Sequence, residues 1–146
     1  MRIPPAVLFA TAAAAQRLLT GRLSTPPAIL PALPVAAAAG TVGAGAVREF
    51  LHVRTTIDPV DVEAASTLVT RGVLGLTRNP MYLALAGLLV AHAVARRSVF
   101  ALVPVAGFVW AIGRWQIPAE EAALTSRFGE DYREYSRRVP RWIFRV

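Results

Sequence analysis

The residues best suited to chemistry in this chain fall in two short blocks. The first is Arg78, Asn79, Pro80, Met81 and Tyr82; the second is Pro118, Ala119, Glu120 and Glu121. Asn79 suits an N-cap and Pro80 the first helical turn, so the first block accounts for itself as a helix start. A helix start also presents backbone N–H groups and a positive dipole end, which can receive an anionic group such as a carboxylate. Paired acids in a first turn stabilise a helix without doing chemistry. If the chain doubles back, however, Glu120 and Glu121 return to the end of the fold that holds Asn79 and Tyr82, where a carboxylate can bind an amine or hydroxyl. The two histidines, His52 and His92, are isolated, and there is no cysteine. A metal-ligand cluster, a disulfide and a thiol nucleophile are therefore not expected.

The elements that position these blocks are apolar. Of the 146 residues 55% are hydrophobic and only 17% charged, against about 25% charged in a soluble domain, and the mean hydropathy is +0.47. Four segments, 3–19, 26–47, 80–95 and 99–112, are candidates to cross a bilayer, for which about 20 helical residues are needed. The last two are short, so tilt or snorkelling by Arg96, Arg97 and Arg114 has to make up the difference. Only Arg96, Arg97 and Ser98 separate them, which makes an antiparallel hairpin. Residues 1–20 have some features of a secretory leader, but a second apolar stretch follows at once, so a retained span is expected. Ala36, Gly40 and Ala44 form a small-residue stripe at four-residue spacing, assigned to packing within the bundle.

From Ala119 onward the pattern becomes amphipathic. Leu124, Phe128, Tyr132, Tyr135 and Val139 share one face, and Arg127, Arg133, Arg137 and Arg138 lie on others. Trp142, Ile143 and Phe144, between Arg141 and Arg145, have the makings of an interfacial anchor. The expected fold is all-α: a polytopic membrane helix bundle with about four spans, a cytoplasmic loop over 48–79 and a C-terminal amphipathic helix. Residues 1–47 would supply the N-terminal spans and 48–146 the site-bearing domain.

An even number of spans puts both termini and the central loop on one side. That side carries Arg2, Arg48, Arg54, Arg71, Arg78, Arg114, Arg127, Arg133, Arg137, Arg138, Arg141 and Arg145; the other carries Arg17, Arg22, Arg96 and Arg97. The bias predicts a multi-pass protein of the inner (cytoplasmic) membrane with cytoplasmic termini. The net charge of +7 comes from arginines flanking apolar segments, without an interleaved aromatic platform. Membrane lipids with anionic headgroups are the expected partners, and nucleic acid is not.

Four blocks occur in register along 66–140: Ser66-Thr67-Leu68-Val69-Thr70-Arg71-Gly72-Val73, Arg78-Asn79-Pro80-Met81-Tyr82, Glu120-Glu121, and Phe128-Gly129-Glu130-Asp131-Tyr132 with Tyr135, Arg138, Val139 and Pro140. Together they resemble the isoprenylcysteine carboxyl methyltransferase and phospholipid methyltransferase group. The resemblance implies an S-adenosylmethionine-dependent methyltransferase embedded in the membrane, with a lipophilic small-molecule acceptor and no metal. Carried over by position, cofactor contacts fall on Ser66, Thr67, Leu68, Val69, Leu74, Asn79, Pro80, Met81, Tyr82 and Glu120. Glu121 is a neighbour; Glu120 and Glu121 are both candidates for catalytic proton removal, although a cofactor role suits them better. Three positions depart from the group. Asn79 stands where eukaryotic members have His, Leu74 where Tyr is common, and Gln116 where an Arg faces the substrate carboxylate. Arg114 is the nearby candidate to replace that Arg, so Gln116 and Arg114 are the expected substrate-side residues. Two other classes fit the pattern: a noncatalytic membrane scaffold of the same fold, and a sterol-type membrane reductase with a nicotinamide cofactor.

Overall fold

The computed structural model describes residues 4–21, 26–52 and 67–144, and the regular structure among them is entirely helical. The helices are α1 (Pro5–Thr20), α2 (Ile29–His52), α3 (Pro80–Ala95), α4 (Leu102–Ala111) and α5 (Ile117–Arg138). Pro5 and Pro80 each open a helix at a position where the missing N–H costs nothing. Helix α1 stops at Gly21, whose φ of 59° is open to glycine and strained for other residues.

Among the described residues two helices are long and apolar enough to cross a membrane: α2, with 24 residues, and the continuous run Val99–Arg138. At 1.5 Å per residue α2 is about 36 Å long, whereas the 16 residues of α3 reach only about 24 Å. The observed α2 runs five residues past the expected end at 47, so His52 lies in its last turn. The hairpin through Arg96, Arg97 and Ser98 is present and leads into a short 3-10 turn, Val99–Ala101, before α4.

Sequence pattern separated a fourth apolar segment from an amphipathic helix beginning near Ala119. Instead, α4 passes into α5 through one π-helical turn, Ile112–Gln116, with no break in the backbone ladder. The reason is local: nothing between Ile112 and Ala119 ends a helix, since Pro118 falls where the wider turn already alters the hydrogen bonding. The interruption comes later, at Gly129, where φ 56° and ψ −122° put a kink inside α5.

The core gathers Ala12 of α1, Tyr82, Ala86 and Leu89 of α3, Phe108 of α4 and Ile112 and Ile117 around the π turn. One polar side chain is sealed inside it. Gln16, 0% exposed, donates from Nε2 to the carbonyls of Leu89 (2.9 Å) and Ala101 (2.8 Å), while its Oε1 lies 2.7 Å from His92 Nδ1. A buried amide leaves no bonding capacity idle at low cost, so these three partners fix α1 against the α3–α4 hairpin. His92 is thus a packing residue remote from both motif blocks.

Helix α2 lies along α3 through small residues, but not through the stripe that the sequence suggested. Its buried positions are Ala32, Ala39 and Ala46, and a Cβ on Gly87 of α3 would stand 2.8 Å from Ala39 Cβ. Gly43 likewise faces Ala84. Gly40 and Ala44 are exposed and a Cβ on Gly40 would meet nothing within 4 Å, so the Ala36–Gly40–Ala44 assignment is wrong by one face. Two small-residue registers coexist on one helix, and only contact with α3 chooses between them.

Candidate functional site

The start of α3, the start of α5 and the chain after α5 meet at one end of the bundle. Tyr82, two residues into α3, donates its hydroxyl to Glu120 Oε1, and Gln116 Nε2 donates to the same oxygen at 2.8 Å. Tyr82 and Gln116 are both buried. The π turn matters here, because its extra residue per turn rotates Gln116 and Glu120 onto the side that faces α3. The doubling back expected from the sequence therefore exists, and it brings Glu120 to the Asn79-Pro80 turn.

Asn79 occupies the N-cap position but makes no side-chain cap. Its Nδ2 donates instead to the carbonyl of Arg141 at 2.9 Å, where Thr77 Oγ1 also donates at 2.9 Å. The Arg78 amide reaches the Pro140 carbonyl at 2.9 Å. The strand of chain 140–141 thus straps the loop that precedes α3. Capping by Asn79 is not observed: its Nδ2 is tied to the strap, its Oδ1 accepts no N–H of the first turn, and α3 starts without a side-chain cap.

Glu121 closes the strap with charge. It accepts from Arg78 Nη1 at 2.8 Å and, as a bidentate fork, from Arg141 Nε at 2.9 Å and Nη2 at 2.6 Å. These bonds hold the Arg141 guanidinium above its ordinary pKa. Arg78 Nη1 also lies 3.5 Å from the Tyr132 hydroxyl, and Arg78 Nε is buried without a partner. Tyr132, Tyr135 and Val139 form a second small core with Leu68, Leu124 and Phe128, as the amphipathic spacing predicted. Tyr135 donates to the Leu74 carbonyl at 2.6 Å, so this core holds the 3-10 turn Gly72–Gly75.

Of the expected cofactor residues, Asn79, Pro80, Tyr82 and Glu120 come together, with Met81 between them half-buried. Val69 and Leu74 are buried, Leu68 packs on Tyr132 and Tyr135, Thr67 is exposed, and Ser66 lies outside the described residues. Gln116 faces Glu120. Arg114, two residues earlier in the π turn, is exposed where Gln116 is buried. Sequence reading missed Thr77, the Tyr132 hydroxyl and Arg141. A signal existed for Tyr132, since a phenol on an apolar stripe needs a polar partner. For Arg141, next to an aromatic tail, there was none. Trp142 packs against the core, so only Ile143 and Phe144 remain exposed for an anchor.

Among the described residues the fold is all-helical, with two helices long and apolar enough to cross a membrane and a polar, arginine-strapped cluster at one end. The chain belongs to the same family as an uncharacterized protein of Haemophilus influenzae, with 38% identity over 63 residues, which are 43% of this chain and 100% of that protein. No protein-family profile and no solved structure matches it.

Proposed function

We propose that this chain is an integral membrane methyltransferase that uses S-adenosylmethionine and methylates a lipophilic, lipid-like acceptor. The observation that carries the reading is the meeting of Tyr82, Glu120 and Gln116 beside the uncapped start of α3. That donor and acceptor set fits the amino-acid part of the cofactor. The Glu120 carboxylate suits an ammonium or hydroxyl, and a helix start suits a carboxylate. Tyr82 and Gln116 hold one Glu120 oxygen in place, which orients the carboxylate before anything binds.

In this reading α1, α2, α3 and α4 all cross the bilayer and both termini face the cytoplasm, as the arginine bias favours. The exposed pair Trp110 and Trp115, 4.9 Å apart edge to face, suits the headgroup level where α4 ends. Bound S-adenosylmethionine supplies an electrophilic methyl group. The protein's part is alignment and the exclusion of water, which needs little acid–base apparatus. Glu121 is occupied by two guanidiniums, which suits a structural tie better than a proton acceptor.

The test is cofactor affinity of the purified chain in nanodiscs, read by calorimetry. The parent should bind S-adenosylmethionine, and Glu120→Ala should weaken binding at least tenfold. Equal affinity in the variant would remove Glu120 from the site, and absence of binding by the parent would sink the methyltransferase reading.

A further inference from the structure

The end of the bundle opposite Glu120 carries a second charged surface. From Tyr82 to Arg96 is 14 residues of α3, about 21 Å along its axis. There Arg96 donates from Nε to Thr20 Oγ1 and from Nη2 to the Gly21 carbonyl, which ties it to the end of α1. Arg17, in the last turn of α1, is exposed, and its charge and that of Arg96 both reach His92. Arg97 is exposed too, with a φ of 51° that non-glycine residues seldom adopt. Glu121, Glu130 and Glu134 form ion pairs with Arg78, Arg133, Arg137, Arg138 and Arg141, and none of these pairs reaches Arg17, Arg96 or Arg97.

Apolar side chains surround these arginines, for which the described residues show no ion pair. Leu18 is 83% exposed, Val99 75% and Phe100 70%, all within a turn of the arginines in sequence. A water-facing surface would not place three such side chains beside three cations, whereas the boundary between acyl chains and headgroups takes both. We infer that Arg17, Arg96 and Arg97 form a binding site for the headgroup of an anionic phospholipid, whose acyl chains lie along Leu18, Val99 and Phe100. Arg96, held by two bonds to the end of α1, is the fixed member; Arg17 and Arg97, both exposed, supply the other two charges. The site is independent of methyl transfer; it lies at the opposite end of α3 from Glu120, and its place on the opposite face of the membrane rests on the topology proposed above.

The experiment is thermal unfolding of the full chain in detergent, followed by tryptophan fluorescence, with phosphatidylglycerol or phosphatidylcholine added to the micelles. Phosphatidylglycerol should raise the Tm of the parent by several degrees more than phosphatidylcholine does. Arg17→Gln with Arg97→Asn should lose at least two thirds of that difference. Asparagine tolerates the left-handed backbone at 97, so the single variant Arg97→Asn keeps the fold and should by itself lose a measurable part. Arg133→Gln with Arg137→Gln, at the other end, should keep the full increment. Equal responses to the two lipids, an undiminished increment in the Arg17/Arg97 variants, or the same increment from inorganic phosphate alone would overturn the assignment.

Discussion

Replacing Glu121 by alanine removes three charge-assisted hydrogen bonds at once, and the surroundings of each set its worth. The Arg78 and Glu121 side chains are 14% and 19% exposed, so their 2.8 Å contact sits in the range of about 1.5–3 kcal/mol for a bond to a charged group. Arg141 is 45% exposed, and solvent screening reduces its fork to about 0.2–1 kcal/mol. The loss also leaves Arg78, whose Nε already lacks a partner, with only the 3.5 Å contact to Tyr132. Glu121→Ala should therefore cost about 2–4 kcal/mol. Arg141→Ala should cost at most about 1 kcal/mol, because the contacts of Thr77 and Asn79 go to its backbone carbonyl and survive. Denaturant unfolding in detergent measures both, and hydrogen exchange at the amides of 77–82 locates the loss. Equal costs for the two variants, or a Glu121→Ala chain within about 0.5 kcal/mol of the parent, would refute the assignment of the strap's energy to the buried half of the cluster.

The α2–α3 seam predicts opposite outcomes for two glycines: Gly87→Ala should destabilise by about 1–3 kcal/mol through its clash with Ala39, whereas Gly40→Ala should be neutral or stabilise by up to about 1 kcal/mol. Both are read from unfolding midpoints. Gln16→Leu should cost about 1–2 kcal/mol, since it orphans the Ala101 carbonyl and His92 Nδ1; on the proposed function, S-adenosylmethionine affinity at the far end should stay unchanged. Glu130, fully exposed beyond the apolar part of the long helix, has its pKa lowered by hydrogen bonds from Arg137 and then Arg133. A depressed carboxylate contributes above its unfolded pKa and loses that contribution as pH falls through the folded value. Acid titration should therefore loosen the stretch after Gly129, seen by NMR at the Arg137 guanidinium, and Glu130→Gln should show no such response.

Much of the fold was legible because hydropathy has a period. The 3.6-residue spacing of Leu124, Phe128, Tyr132 and Tyr135 marked the face that is buried, and Pro80 marked a helix start that holds to the residue. The hairpin turn was legible because three polar residues between two apolar runs leave no other path. What escaped depended on contacts between distant segments. Nothing local distinguishes Gly40 from Gly43, and only the approach of Gly87 shows which faces α3. Asn79 before Pro80 has the local chemistry of a cap, and it took the Arg141 carbonyl, 62 residues away, to draw its amide elsewhere. Of the candidate site, the pairing of Tyr82 with Glu120 followed from chain reversal, whereas the strap did not. The π turn that completes the pairing leaves no trace in hydropathy, since it changes rotation without changing composition.

The strap at 140–141 also sets an order of events during synthesis. Thr77 and Asn79 emerge early, but the carbonyl they bind belongs to a residue made 64 and 62 positions later. At about 5–20 residues per second that is a wait of roughly 3–13 seconds, during which α3, α4 and α5 are all made before Thr77 and Asn79 find their acceptor. The helices can find one another in that interval. The polar cluster cannot be finished until residue 141 has been made, which makes it a late check on whether the helices before it have come together correctly.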